Sequence, residues 1–167
     1  LESNEEFHEI QKIENPLNKW ILFELKVFVE KTSSSINGYK FNEAAENIYK
    51  FVWDIYCDWY LEFVKPFIKE NEETKKVAKF VLFNILHILN PFMPFITEEL
   101  NSRIFKNKKL ILISKWPNYD NKYYKCDNIN KIINIIAEIR AIKNEMKIPL
   151  AAKPILQIQG NNKGLKE

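Results

Sequence analysis

The chain has 167 residues, of which 46% are hydrophobic and 14% aromatic, so it is long enough to bury the core of one domain. Its formal net charge of +3 permits a nucleic-acid partner but does not argue for one. The longest apolar run, residues 80–89, is interrupted by Asn84 and His87 and is far shorter than the roughly 18 residues of a membrane span, so we expect no membrane contact.

The two cysteines, Cys57 and Cys126, stand far apart and lack metal-ligand spacing, which favours reduced thiols in the cytoplasm. The chain starts at Leu1 rather than at a methionine and ends after a polar stretch. We therefore expect a piece of a longer protein.

The first predicted helix follows an acidic N-terminal segment, residues 1–15, that has little periodicity. Pro16 suits a first helical turn because its missing N–H would have no partner there. From residue 17 to about residue 37, polar and apolar side chains separate onto two faces. The apolar face includes Ile21, Leu25 and Phe28. Gly38 is predicted to end this helix.

The second predicted helix begins near Asn42, a residue type that caps helix N-termini, and Pro66 is predicted to end it or to kink it. At 100° per residue its apolar side chains form one stripe. The stripe consists of Ala45, Ile48, Tyr49, Val52, Trp53, Tyr56, Trp59, Tyr60 and Phe63. Such regular spacing favours burial in the core over a surface that stacks nucleic-acid bases.

The third predicted helix follows a charged connector, residues 69–76, and is apolar nearly all round, which is typical of the centre of a helical bundle. Pro91 and Pro94 interrupt it, and Pro94 is suited to open a short further helix. Residues 106–128 are predicted to be irregular.

The fourth long helix is predicted over residues 128–147, with apolar residues spaced for burial. These are Ile132, Ile135, Ile136, Ile139, Ile142 and Met146. Residues 153–159 alternate as a short strand does. The chain is therefore predicted to be all-α, a bundle of four main helices over residues 16–149, followed by a tail, residues 150–167.

Asp54 and Asp58 lie one helical turn apart, as a carboxylate pair for acid–base chemistry would. Solvated surface carboxylates are the better interpretation, because both lie opposite the aromatic stripe. His8 and His87 each lack a second ligand at metal spacing, and no nucleotide-binding, metalloprotease or nucleophile motif is present. We predict no catalytic residue, no metal site and no cofactor within these residues.

A polar stripe on the fourth helix is the best candidate for a binding face. Its members, at i, i+3, i+4 and i+7, are Arg140, Lys143, Asn144 and Lys147. A solvated helix face explains the stripe equally well, because lysine is abundant throughout the chain. At the start of the first helix, Lys19 lies on the polar face and Trp20 is predicted to flank exposed surface.

Four separated segments together carry a resemblance to a known family. They are N-K-W-I-L at 18–22, Y-K-F-N-E-A-A-E-N-I-Y-K-F-V-W-D-I-Y-C-D-W-Y-L-E at 39–62, I-L-N-P-F-M-P-F-I-T-E-E-L at 88–100, and I-I-A-E-I-R-A-I-K-N-E-M-K-I-P at 135–149. In order and spacing they resemble the anticodon-binding domain of bacterial valyl-tRNA synthetases, which are class I aminoacyl-tRNA synthetases. The third segment is shared with the isoleucine, leucine and methionine enzymes, whereas C-D-W-Y-L-E points to the valine enzymes.

This resemblance implies a helical bundle that binds the anticodon stem and loop of valine tRNA, within an enzyme that attaches valine to its tRNA using ATP. ATP would then bind the parent enzyme, and the catalytic domain of the same chain would be a second partner. From helix face and charge, we predict the RNA contacts. They are Lys19, Trp20, Arg140, Lys143, Asn144 and Lys147.

Two residues depart from the family pattern. Asn101 stands where the family usually has tryptophan, and Lys143 stands where it tends to carry a second arginine, which would replace a bidentate contact with a point charge. Two alternatives stay open from the sequence. One is a structural scaffold or domain-docking module without specific RNA recognition, and the other is the equivalent domain of an isoleucyl-tRNA synthetase.

Overall fold

The computed structural model describes residues 13–106, 109–118 and 127–149, together with Ala152 and Ile155. These residues form five helices and no strand. The helices are α1, Pro16–Asn37; α2, which is α-helical over Phe41–Lys50, π-helical over Phe51–Leu61 and α-helical again over Glu62–Val64; α3, Glu72–Leu89; α4, Pro94–Phe105; and α5, Asp127–Glu145. The all-α prediction is confirmed. The strand predicted at 153–159 lies outside the described residues except for Ile155.

The chain divides into two compact units, unit 1 (Leu1–Lys125) and unit 2 (Cys126–Glu167). Unit 1 holds α1 to α4 and a short 3₁₀ turn, Ile111–Ile113, and unit 2 holds α5. The domain limits predicted at residues 15/16 and 149/150 stay predictions.

Helix α1 begins as its sequence predicts. The side-chain oxygen of Asn15 accepts a hydrogen bond of 2.8 Å from the Leu17 N–H, and Pro16 occupies the first turn. The end of the helix differs in detail, because the left-handed residue is Tyr39 (φ 58°), while Gly38 keeps φ −85°. The N–H groups of Tyr39 and Lys40 return to the carbonyls of Ile36 and Ser35, which is the pattern of a Schellman motif.

The predicted cap of the second helix is wrong. Helix α2 begins at Phe41, one residue before Asn42, and its N-cap residue Lys40 provides no side-chain capping hydrogen bond. The third helix also begins earlier than predicted, inside the charged connector, because the Asn71 side chain accepts from the Thr74 N–H at 2.8 Å and caps it.

The π-helical segment of α2 changes which aromatic side chains are buried. Ile48, Tyr56 and Tyr60 are buried as predicted, but Tyr49 and Trp53 are exposed, and so is Ala45. Their places in the core are taken by Ala44, Phe51 and Val64, which the uniform α-helical projection omitted. Because i→i+5 hydrogen bonding puts more than 3.6 residues in each turn, the buried stripe steps by five residues from Phe51 to Tyr56.

A buried polar cluster joins α1, α2 and α3. Asn18, which is 0% exposed, donates to the Glu73 carboxylate at 2.8 Å and to the Thr74 hydroxyl at 3.0 Å, and accepts from the Tyr60 hydroxyl at 2.8 Å. Burial, above all, raises the pKa of Tyr60, so its hydroxyl keeps the proton that it donates. Since a buried polar group without a partner costs about 1–3 kcal/mol, this cluster strongly favours one alignment of the three helices.

The apolar core of unit 1 lies between α1, α2 and α3. Ile21, Leu25 and Phe28 of α1 are buried, as predicted, and the Phe28 ring stacks on Phe51 with centroids 4.3 Å apart. Helix α3 contributes a row of fully buried residues, Val77, Val81 and Ile88, which confirms its central place in the bundle.

Candidate nucleic-acid interface

The two predicted contacts of unit 1 differ in accessibility. Lys19 is exposed on the second turn of α1, with its backbone N–H bonded to the Asn15 carbonyl. Trp20 is only 2% exposed, so the expectation that it flanks open surface is wrong. The N-K-W sequence instead places one residue in the polar cluster, one in solvent and one in the apolar core.

The other four predicted contacts lie on α5 and the turn that follows it. Arg140, Asn144 and Lys147 are exposed, and Lys143 is half-buried. The Lys143 ammonium donates a hydrogen bond of 3.1 Å to the Ala152 carbonyl, so this cation also holds the chain after the helix. Unit 2 therefore presents a guanidinium, an amide and an ammonium to solvent near one helix end.

Lys147 has a special backbone conformation, with φ at 52°. Its N–H donates to the Asn144 carbonyl at 3.1 Å, and the Ile148 N–H donates to the Lys143 carbonyl at 2.9 Å. These two hydrogen bonds form a Schellman motif in which Lys147 occupies the position usually given to glycine. Lys143, Asn144 and Lys147, which are predicted RNA contacts, thus also form the hydrogen bonds that end α5.

Apolar residues accompany these polar side chains on the solvent side of α5. Ile142 and Met146 are exposed, which corrects the expectation that both are buried, whereas Ile132, Ile135, Ile136 and Ile139 are half-buried. The exposed pair lies at i, i+4, one residue before Lys143 and Lys147 respectively. The surface near the C-terminal end of α5 therefore carries exposed apolar side chains beside its basic and polar groups.

An exposed aromatic pair on α2 was missed by the sequence reasoning. Tyr49 and Trp53 are 64% and 56% exposed, with near-parallel rings whose centroids are 6.4 Å apart. The carboxylate of Glu46 and the ammonium of Lys50 pair beside them at 2.5 Å. Tyr49 lies in the α-helical part of α2 and Trp53 in its π-helical segment, and the predicted stripe had placed both in the core.

The two carboxylates and the histidine that were considered for catalysis lie in settings typical of surface and core side chains. Asp54 and Asp58 are exposed on α2. His87 is buried, its Nδ1 donates to the Phe83 carbonyl at 3.0 Å, and loss of solvent lowers the pKa of its imidazole.

Within the described residues there is no cluster of three or more histidine, cysteine, aspartate or glutamate side chains that could hold a metal ion. No helix in the described part of the chain is long and apolar enough to cross a membrane.

Lys19 belongs to unit 1 and the α5 residues belong to unit 2. Each RNA contact predicted at these residues stays a prediction.

The sequence of the chain matches a known protein family. Residues 18–159 match the family model described as the anticodon-binding domain of tRNA ligase. The chain is 36% identical to the valine–tRNA ligase of Picrophilus torridus over 92% of its own length and 20% of that protein. It is 39% identical to the valine–tRNA ligase of Bartonella quintana, over 83% of this chain and 16% of that protein.

A similar likeness extends to the valine–tRNA ligase of Fervidobacterium nodosum, at 37% identity over 86% of this chain and 17% of that protein. The chain thus spans at most about a fifth of the length of these relatives. The family match covers both units and includes Lys19 and the whole of α5. The chain belongs to the anticodon-binding domain family of tRNA ligases.

Proposed function

We propose that this chain is the anticodon-binding part of a valine–tRNA ligase and that it binds the anticodon stem and loop of valine tRNA. The observation that carries the proposal is the identity of 36–39% to valine–tRNA ligases, sustained over most of the chain. Activation of valine with ATP and its transfer to tRNA belong to the catalytic domain of the longer enzyme, which is the second partner of the chain.

The exposed groups of α5 have the chemistry that this task requires. Arg140 and Lys147 can contact phosphates, and phosphate contacts position RNA without reading its sequence. The Asn144 amide carries both donors and acceptors, so it can read the edge of an unpaired loop base. The tether from Lys143 to Ala152 limits the motion of this helix end and lowers the entropy lost on binding.

In unit 1, Lys19 is the proposed contact and Trp20 has a different role. An indole ring that is 2% exposed has almost no surface on which a base could stack. We therefore propose that Trp20 supports RNA binding only by fixing the helix that carries Lys19.

The proposal is tested by measuring binding of the 167-residue protein to valine tRNA and to a transcript that differs only in its anticodon. We expect the altered transcript to bind about tenfold more weakly, which corresponds to about 1.4 kcal/mol of lost base recognition. A third transcript carries the isoleucine anticodon. Tighter binding to that transcript would assign the chain to the isoleucine enzymes.

A pair of variants separates recognition from general charge. Asn144→Ala is expected to reduce the preference for the valine anticodon, while Asn42→Ala, which removes an exposed amide on α2, should leave the preference unchanged. Equal binding of all three transcripts by the folded protein would exclude anticodon recognition and favour a scaffold.

A further inference from the structure

A short aliphatic turn projects from unit 1 between α4 and the end of that unit. We call Leu110, Leu112 and Ile113 the aliphatic turn. Leu112 is 75% exposed and Ile113 is 66% exposed, whereas Ile111 between them is buried and anchors the backbone. Exposed leucine and isoleucine side chains at adjacent positions are unfavourable in water unless another surface covers them.

The backbone of this turn is held by side chains of α4. The Glu98 carboxylate accepts hydrogen bonds of 3.0 Å from the N–H groups of both Ile111 and Leu112. The buried Asn101 amide donates to the Lys109 carbonyl at 3.2 Å, and the Ser114 hydroxyl donates to the Leu110 carbonyl at 3.1 Å. The turn is therefore pre-organised, so covering its aliphatic side chains costs little conformational entropy.

The flanks of the turn are basic. Lys109 and Lys115 are exposed on either side of it, and Lys106 is exposed at the end of α4. An aliphatic centre with a cationic rim is complementary to an apolar protein surface that is bordered by carboxylates. RNA would meet the lysines, but it has no favourable contact for the leucine and isoleucine side chains, which cannot stack as aromatic rings do.

We propose that the aliphatic turn docks on an acid-rimmed apolar surface of the catalytic part of the same ligase chain. This inference rests on the proposed function. The relatives carry at least four fifths of their length outside the region that this chain matches, and a domain of a larger enzyme needs a surface that fixes it to the remainder. The aliphatic turn supplies such a surface in unit 1.

The test is thiol labelling of Leu112→Cys, located by mass spectrometry, in the 167-residue protein and in the protein at its native length. We expect labelling to be about tenfold slower at native length without any tRNA, because a packed interface excludes the reagent. Lys31→Cys, at an exposed position of α1, is the control for general reactivity.

Two results would overturn the proposal. One is equal labelling of Leu112→Cys in both proteins. The other is protection that appears only when tRNA is added, because RNA rather than protein would then cover the turn.

A second variant gives an independent readout. Ile113→Asp is expected to increase protease sensitivity at native length and to leave discrimination between anticodons by the 167-residue protein unchanged. A native-length Ile113→Asp protein with unaltered protease sensitivity would contradict docking. If the unsubstituted 167-residue protein does not discriminate between anticodons, the proposed function is refuted instead. Failure of the docking proposal and failure of the proposed function are therefore distinguishable.

Discussion

At the scale of single residues, three helix ends place an ordinary L-residue in the left-handed region. Tyr39 follows α1, Lys106 follows α4 and Lys147 follows α5, with φ between 51° and 58°. A side chain with a Cβ atom adopts this region at a cost of roughly 1 kcal/mol that glycine avoids. The chain has only three glycines, and none occupies these positions.

We predict that Lys106→Gly raises the free energy of unfolding by about 0.5–1 kcal/mol, because the left-handed backbone is no longer strained. The matched control is Lys79→Gly, the same substitution at an exposed position inside α3, which should lower stability by about 1 kcal/mol. Urea unfolding followed by circular dichroism measures both. A loss of stability in Lys106→Gly as large as that in Lys79→Gly would contradict the assigned backbone conformation.

At the scale of the elements, α2 is the helix whose geometry departs from its sequence pattern. Ile48, Tyr56 and Tyr60 could be predicted as core because they fit both a regular α-helix and the observed structure. Phe51 and Trp53 could not, because their exchange depends on the i→i+5 hydrogen bonds of the π-helical segment. Packing of Phe51 on Phe28 of α1 is a tertiary contact that local periodicity does not encode.

The π-helical register predicts losses of stability of very different size for two aromatic substitutions. Phe51→Ala should destabilise unit 1 by about 3–5 kcal/mol, because it leaves a cavity against Phe28. Trp53→Ala should cost less than about 1 kcal/mol, because its ring is largely in solvent. Thermal and urea unfolding of both variants provide the measurement. A larger loss in Trp53→Ala than in Phe51→Ala would support the uniform α-helix instead.

At the scale of the whole molecule, the net positive charge is small, so we expect binding to RNA to depend on a few cationic side chains. The formal net charge is only +3, and the two arginines are Arg103 and Arg140. The guanidinium of Arg103 is paired with the Glu99 carboxylate at 2.5 Å on α4. Arg140 lies on α5 among the proposed RNA contacts, so the two arginines form a natural comparison.

Salt dependence of tRNA binding should distinguish these arginines. Arg140→Gln is expected to weaken binding and to reduce the slope of log K against log salt concentration by about 0.7, the value for one lost phosphate contact on single-stranded RNA. Arg103→Gln should change the slope much less. Filter binding at four or more salt concentrations gives both slopes, and equal slopes for the two variants would remove Arg140 from the proposed interface.

The helical class, most helix limits and the family were predictable from the sequence alone. Helix limits were predictable where a local feature sets them, as Pro16 does for α1 and Pro94 for α4, because proline acts on its own backbone. Which side chains the site exposes depends on packing between distant parts of the chain. Trp20 is buried, Lys143 bonds to Ala152, and Ile142 and Met146 face solvent, since each outcome depends on the surroundings that the folded chain provides.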